Sequence, residues 1–209
     1  MDLASPEELD TFEEVLIRRI YPLGMVTRAP AMIVDCGANV GFFASLCRVH
    51  FPNARVVCWE PDLHNFRRLT AQPLLQAGIV QCHQRAVSNF DGELFLTGQG
   101  VGCQVGLGER GDGRIVETCN LGAWMTKNLE CPAIVKIDIE GHESVVIEGL
   151  DHVWKGPCTL FLETHANAGR DDETIERLAG IGFRMKLLRV HEVAGDPRVF
   201  KEYFGQIGD

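Results

Sequence analysis

Several polar clusters in this chain each follow a short β-branched run, and their residue types suit the wall of a ligand cleft. In the first, Asp35-Cys36-Gly37-Ala38-Asn39-Val40-Gly41, two glycines permit a tight turn and close backbone approach to a ligand, with a helix N-terminus behind it. The turn has neither the G-x-x-x-x-G-K-[ST] pattern of a phosphate cradle nor the G-x-G-x-x-G of a dinucleotide site. The second cluster, Glu60-Pro61, ends the next apolar run, where a carboxylate can accept hydrogen bonds from both hydroxyls of a ribose. A glycine turn followed by such an acid implies a nucleoside that carries no pyrophosphate.

Two further clusters hold most of the ionisable groups. Lys136, Asp138, Glu140, His142 and Glu143 come at or just past one apolar run, and Glu163 and His165 come just past the next. If the first of these runs stays extended, Asp138 and Glu140 face opposite ways, and Asp138 is the one expected in the site. Lys136 lies in a run that should be buried, so it is expected to pair with a neighbouring carboxylate. Asp138, Glu140 and Glu163 have the chemistry of a hard-cation site, but no metal is expected. His50, His64, His83, His152 and His191 show no ligand-like spacing and are expected to be surface or packing residues.

Positioning these groups requires strands alternating with helices, the pattern of βαβ units around a parallel sheet. Strands are expected at 31–34, 55–59, 78–84, 133–139 and 158–162, with helices near 40–50, 121–129, 143–150 and 172–181 and one after Glu60-Pro61 that Pro73 should end or kink. Residues 93–97 and 114–119 read as extra strands around a stretch rich in glycine, Gly98 to Gly113, a candidate lid. Residues 183–190 and 198–204 flank Gly195-Asp196-Pro197 as a closing antiparallel hairpin. At the N-terminus, Leu9, Phe12, Leu16 and Ile20 recur at helical spacing, predicting an amphipathic helix over 6–20. The expected fold is a doubly wound, mostly parallel seven-stranded α/β sheet with helices on both faces. Its organisation is a helical extension over 1–30 and one domain over 31–209.

Composition narrows the class. A length of 209 residues fits one domain, and 45% hydrophobic against 23% charged residues is the balance of a packed protein. A formal net charge of −9 without any basic run argues against nucleic acid as a partner. No apolar stretch is long enough to span a membrane. The eight cysteines form no C-x-x-C pair, and no N-x-[ST] sequon occurs, so a soluble protein of the reducing cytoplasm is expected.

The motifs Val-Asp-Cys-Gly-Ala-Asn-Val-Gly, Trp-Glu-Pro, Val-Lys-Ile-Asp-Ile-Glu-Gly-His-Glu and Leu-Glu-Thr-His, in this order over 31–165, resemble the FkbM-type family of class I methyltransferases. Asn39 stands where the wider superfamily has a second glycine, a substitution typical of FkbM-type sequences. The resemblance implies a Rossmann-like methyltransferase fold and S-adenosylmethionine as cofactor. Asp35, Gly37, Ala38, Asn39 and Gly41 would then hold its methionine part, Glu60 and Pro61 the ribose, and Ala86 with Val87 the border of the adenine, with Asp138 beside the cofactor. It also implies a small acceptor, a hydroxyl of a sugar or natural product.

Transfer to a hydroxyl needs positioning and a base. His165, whose unperturbed pKa lies near neutrality, is the first-choice base, with Glu163, Asp138 and Lys136 around it. Two rivals follow from the same residues. One is a non-catalytic nucleoside-binding sensor or scaffold, against which the clustering of ionisable groups argues. The other is an NAD-dependent oxidoreductase, against which the missing pyrophosphate fingerprint argues.

Overall fold

The computed structural model describes residues 6–76, 78–97, 104–106, 113–166, 170–192 and 199–208. At its centre lies β1 (Met32–Cys36), buried at all five positions, flanked in parallel by β2 (Arg55–Trp59) and β8 (Ala133–Ile137). With β3 (Val80–His83), β9 (Cys158–Ala166), β10 (Arg184–Glu192) and β11 (Val199–Ile207) they form a seven-stranded sheet in the order β10-β11-β9-β8-β1-β2-β3. It is parallel from β3 to β9, while β11 runs antiparallel to both β9 and β10. Strands buried on both faces read as continuous apolar runs. Alternate residues of β1 accordingly enter different cores.

Met32, Val34 and Cys36 pack with α5 (Leu121–Asn128), α6 (Glu143–Glu148) and α7 (Arg170–Ile181) through Leu121, Met125, Val146, Ile147 and Leu178. Ile33 instead joins Phe43, Ala44 and Cys47 of α2 (Phe42–His50) and Leu69 of α3 (Leu63–Thr70). Helices thus cover both faces. Pro73 does interrupt the helical path: α3 stops at Thr70, and the short α4 (Pro73–Gln76) restarts with the proline at its first position, where a missing N–H costs nothing.

Sequence and structure differ in four places. The N-terminal helix is two pieces, α1 (Pro6–Phe12) and a π-helical turn, Glu13–Arg18. Val15 in that turn and Ile20, beyond the left-handed Arg19 (φ +53°), are buried, while Leu9 and Phe12 of α1 are 57% and 40% exposed. The strand β8 ends at Ile137 and does not continue to 139, because Glu140 (φ +60°) and Gly141 (φ +109°) turn the chain left-handed. By contrast β9 continues to Ala166, paired along its length with β11, so Glu163 and His165 lie within the strand.

The fourth difference is a second sheet. The extra strands, β5 (Gly92–Thr97) and β7 (Arg114–Asn120), join β4 (Ala86–Ser88) and β6 (Gln104–Gly106) in the order β4-β7-β5-β6. Of the glycine-rich stretch only 104–106 and 113 are described, so the expected lid lies largely outside the described residues, as does the turn 195–197. Among the described residues, no helix is long and apolar enough to cross a membrane.

Candidate active site

Strand order reverses between β1 and β8, and a cavity of about 250 Å³ opens beyond the carboxyl ends of these strands. Its first half is built largely from backbone. Gly37 (φ +76°), Asn39 (φ +51°) and Gly41 (φ +89°) are all left-handed, and asparagine tolerates that region better than most residues with a side chain. Asn39 therefore does the conformational work of a glycine. The N–H groups of Gly37 and Ala38 donate to Trp59 O (3.0 and 2.9 Å), which ties the turn to the end of β2.

Glu60, 5% exposed, faces this turn. Its Oε2 accepts from Asn39 N and its Oε1 from Asp62 N, both at 2.8 Å. Burial pushes the carboxyl up to about 7, with the Asp62 and Asn39 N–H groups only partly opposing it. Asp62 caps α3 through Asn65 N (2.8 Å) and pairs with Arg114. Pro61, Ala86 and Val87 also line the cavity, and Ser88 behind them shares a hydrogen bond with His142 Nε2 (3.0 Å).

Two expected members of this half do not reach the cavity. A side chain at Gly41 would meet Leu69 Cδ1 at 2.8 Å, so this glycine serves helix packing. Asp35 is fully buried behind the turn, where its Oδ1 lies 3.4 Å from Lys136 Nζ. At Gly37 a Cβ would come within 1.9 Å of the Asp138 carbonyl oxygen. That glycine is demanded by the crossing of two protein loops, whatever ligand lies above them.

The second half is built from side chains. Lys136 does pair as expected: its ammonium donates to Gly37 O (2.7 Å) and sits 3.4 Å from both Asp35 Oδ1 and Asp138 Oδ2. Burial works against this charge, but Asp138 and Asp35 outweigh it and raise the pKa. Asp138 Oδ2 also accepts from Tyr21 Oη (3.1 Å). Burial would raise the Asp138 carboxyl, yet Lys136, His165 and Tyr21 hold it below its usual value.

His165, 5% exposed, is anchored from behind. Its Nδ1 donates to Glu143 Oε1 at 2.8 Å, and the same oxygen accepts from Ile139 N (3.2 Å) and Gly141 N (2.9 Å). In front, Nε2 lies 3.7 Å from Asp138 Oδ1, 3.7 Å from Glu140 Oε2 and 3.8 Å from Glu163 Oε1. Because β8 has ended, Asp138 and Glu140 meet the same imidazole and do not face apart. Burial alone would lower the His165 pKa; the Glu143 hydrogen bond and the charges of Glu143, Asp138 and Glu140 lift it to about 10. The imidazole therefore carries a proton at neutral pH, unlike the near-neutral group the sequence led us to expect. Burial and the Asp138 charge push Glu163 well above the usual carboxylate range.

The match of residues 35–185 to the methyltransferase FkbM domain decides the family. The chain belongs to the FkbM methyltransferases. Among curated proteins, this FkbM chain is 25% identical over 142 residues to the hexuronic acid methyltransferase AglP of Haloferax volcanii, an alignment covering 67% of this chain and 58% of that protein. Among solved structures it resembles the precorrin-6y C5,15-methyltransferase of Geobacter metallireducens GS-15, with a TM-score of 0.56, 11% identity and coverage of 100% and 95%. The magnesium protoporphyrin IX methyltransferase of Synechocystis PCC 6803, solved with bound SAM, aligns with a TM-score of 0.54, 12% identity and coverage of 99% and 86%. At such identities the likeness is one of fold.

Three residues in or behind the FkbM cavity were given no role from the sequence. Glu143 stood among the polar residues of its motif without a partner to define it. Tyr21, whose ring packs edge-on against Phe43 (centroids 4.7 Å apart), reaches Asp138 across 117 positions, a separation no local pattern reveals. His191, expected to be an ordinary packing residue, lines the cavity with Nε2 3.8 Å from Glu163 Oε1 and stacks on Phe200 (5.1 Å).

Proposed function

We propose that this protein transfers the methyl group of S-adenosylmethionine to a hydroxyl of a small sugar-like acceptor. The observation that carries the reading is Glu60. Each of its oxygens accepts one backbone N–H, and a carboxylate has about four lone-pair positions, so two remain for the hydroxyls of a ribose. Asn39, Ala38, Pro61 and Ala86 extend the same wall. The cofactor supplies a sulfonium-bound methyl group, whose transfer to oxygen yields S-adenosylhomocysteine and one proton.

The chain's own residues handle that proton. Lys136, held by Asp35, keeps Asp138 in place. Glu163, raised by burial and by Asp138, has the pKa direction of a useful general base, whereas His165 is already protonated at neutral pH. With no cation in the cavity, His165 serves as a positive charge that holds the carboxylates around the acceptor. A sugar acceptor is supported by the name of the relative AglP and by the polar wall of this half of the cavity.

Calorimetry with S-adenosylmethionine, S-adenosylhomocysteine and NAD tests the cofactor, and a screen of sugars, hexuronic acids and their glycosides tests the acceptor. Binding of both sulfur compounds without NAD is expected, followed by turnover on a hydroxylated sugar. Binding of NAD in place of the sulfur compounds would overturn the reading.

A further inference from the structure

We propose that Asp138, Glu163 and His165 form a binding site for a divalent metal ion of the first transition row, open to the acceptor half of the cavity. The proposal rests on reading this cavity as the acceptor site. Its geometry is that of three groups that each present one atom to a common gap, two of them, His165 and Asp138, held by another atom. His165 has a side chain 3% exposed, with Nδ1 fixed by Glu143; among the described residues its Nε2 makes no hydrogen bond, and an ion would bind there in place of the Nε2 proton. Asp138 spends Oδ2 on Lys136 and Tyr21 and turns Oδ1 toward that Nε2. Glu163, whose side chain is 12% exposed, brings Oε1 to the same place.

The spacing favours an ion over a plain ion pair. On its Nδ1 side the imidazole closes to 2.8 Å on Glu143, as an ion pair does; on its Nε2 side it closes on no carboxylate. Here Nε2 stands 3.7 to 3.8 Å from Asp138, Glu140 and Glu163 at once. Ligand atoms about 2.1 Å from one ion lie roughly 3.0 to 3.4 Å apart, depending on octahedral or tetrahedral geometry, so His165 would need to close on Asp138 and Glu163 by less than an ångström. One ligand atom from each of the three residues already lies within 4.8 Å of the others.

A histidine whose second nitrogen donates to a buried carboxylate is the usual support behind a metal-bound imidazole, and Glu143 fills that place. Mixed nitrogen and oxygen donors select a transition-row ion over magnesium or calcium. Three protein ligands leave positions open toward the cavity. There the ion would chelate two neighbouring acceptor oxygens, such as the carboxylate and a hydroxyl of a sugar acid, which the acidic wall of Glu14 and Glu140 would otherwise repel. A ligated hydroxyl is also more acidic, which aids loss of its proton.

The test is a titration of the chelator-treated protein with manganese(II) chloride, followed by calorimetry and by the electron-spin resonance of the bound ion. One ion per chain is expected. Affinity should fall at least tenfold in Glu163→Gln and in Asp138→Asn, and about 10- to 100-fold in Glu143→Gln, which touches no ion. Absence of saturable binding to the wild-type protein would overturn the proposal. So would binding unchanged in Glu163→Gln and Asp138→Asn, or binding abolished by Glu202→Gln but not by Asp138→Asn, which would put the ion in the neighbouring Glu163, His191 and Glu202 group. Neither cofactor nor acceptor enters this titration, so it succeeds or fails independently of binding to S-adenosylhomocysteine, measured on the same samples.

Discussion

The two halves of the cavity are made of different material. The half around Gly37 and Glu60 is mainly backbone: left-handed residues, N–H groups and one carboxylate drawn from two consecutive strand ends. The half around His165 is side chain, assembled from the N-terminal segment, β8, the loop after it, α6, β9 and β10. A backbone-built site is specified by short contiguous motifs, since a turn depends on few neighbouring residues. A side-chain site depends on the register of strands far apart in the chain, and its energetics come from charges that compensate one another.

The comparison can be broken at its strongest point with Gly37→Val. Because the added Cβ would sit 1.9 Å from the Asp138 carbonyl in a left-handed residue, folding itself should suffer, by about 3 kcal/mol or more. Thermal unfolding of the free protein measures this, and a normal melting temperature would show that the two loops part easily. Next in size is Glu163→Gln, expected to lower turnover by about 10²- to 10⁴-fold. The dissociation constant for S-adenosylhomocysteine should stay within twofold, and an equal loss in both would merge the halves that the structure separates.

Glu60→Ala should have the opposite profile. It removes hydrogen bonds to a charged acceptor worth roughly 1.5 to 3 kcal/mol each, so the affinity for S-adenosylhomocysteine should drop at least tenfold. The pH dependence sharpens the point. With a pKa of about 7 in the free protein, Glu60 is protonated in acid, while two ribose hydroxyls need the ionised form as acceptor. Affinity should therefore fall as pH drops below 7, by up to about tenfold per unit, and this slope should vanish in Glu60→Gln. Calorimetry from pH 5 to 8 would show it, and a flat wild-type profile would remove the carboxylate from the ribose.

The smallest effect is expected from Tyr21→Phe, which deletes one hydrogen bond to a carboxylate that keeps Lys136. About 1 kcal/mol of stability should go, by chemical denaturation. Cofactor binding should be unaffected, and a large loss of it would join the N-terminal segment to the first half.

Much of the scaffold was legible because β1, β2 and β8 are buried on both faces, which forces unbroken apolar runs of the right length. The three-residue β4 left no such trace, being too short for a pattern and held by pairing with β7, far along the chain. The extension of β9 past its apolar stretch was hidden for the same reason: polar Glu163 and His165 are extended because β11 pairs with them. In the site, the glycine turn and Glu60 were readable, whereas the protonation of His165 was not. The pKa of that imidazole is set by Glu143, Asp138 and Glu140, which reach it only after β8 ends and the chain turns at Glu140 and Gly141.

The contact between Gly37 and the Asp138 carbonyl has an evolutionary side. It leaves no room for a side chain, so the turn after β1 and the loop after β8 are free to vary only together. Acceptor preference can hardly drift by remodelling residues 138–142 without disturbing the neighbouring turn. The freer route runs through the far wall, where His191 of β10 and Glu202 of β11 meet Glu163 from a two-strand edge that has no part in that crossing. Diversification among chains of this kind should therefore concentrate at 189–192 and 199–202, and a directed library placed there should change acceptors while sparing the turn and Glu60.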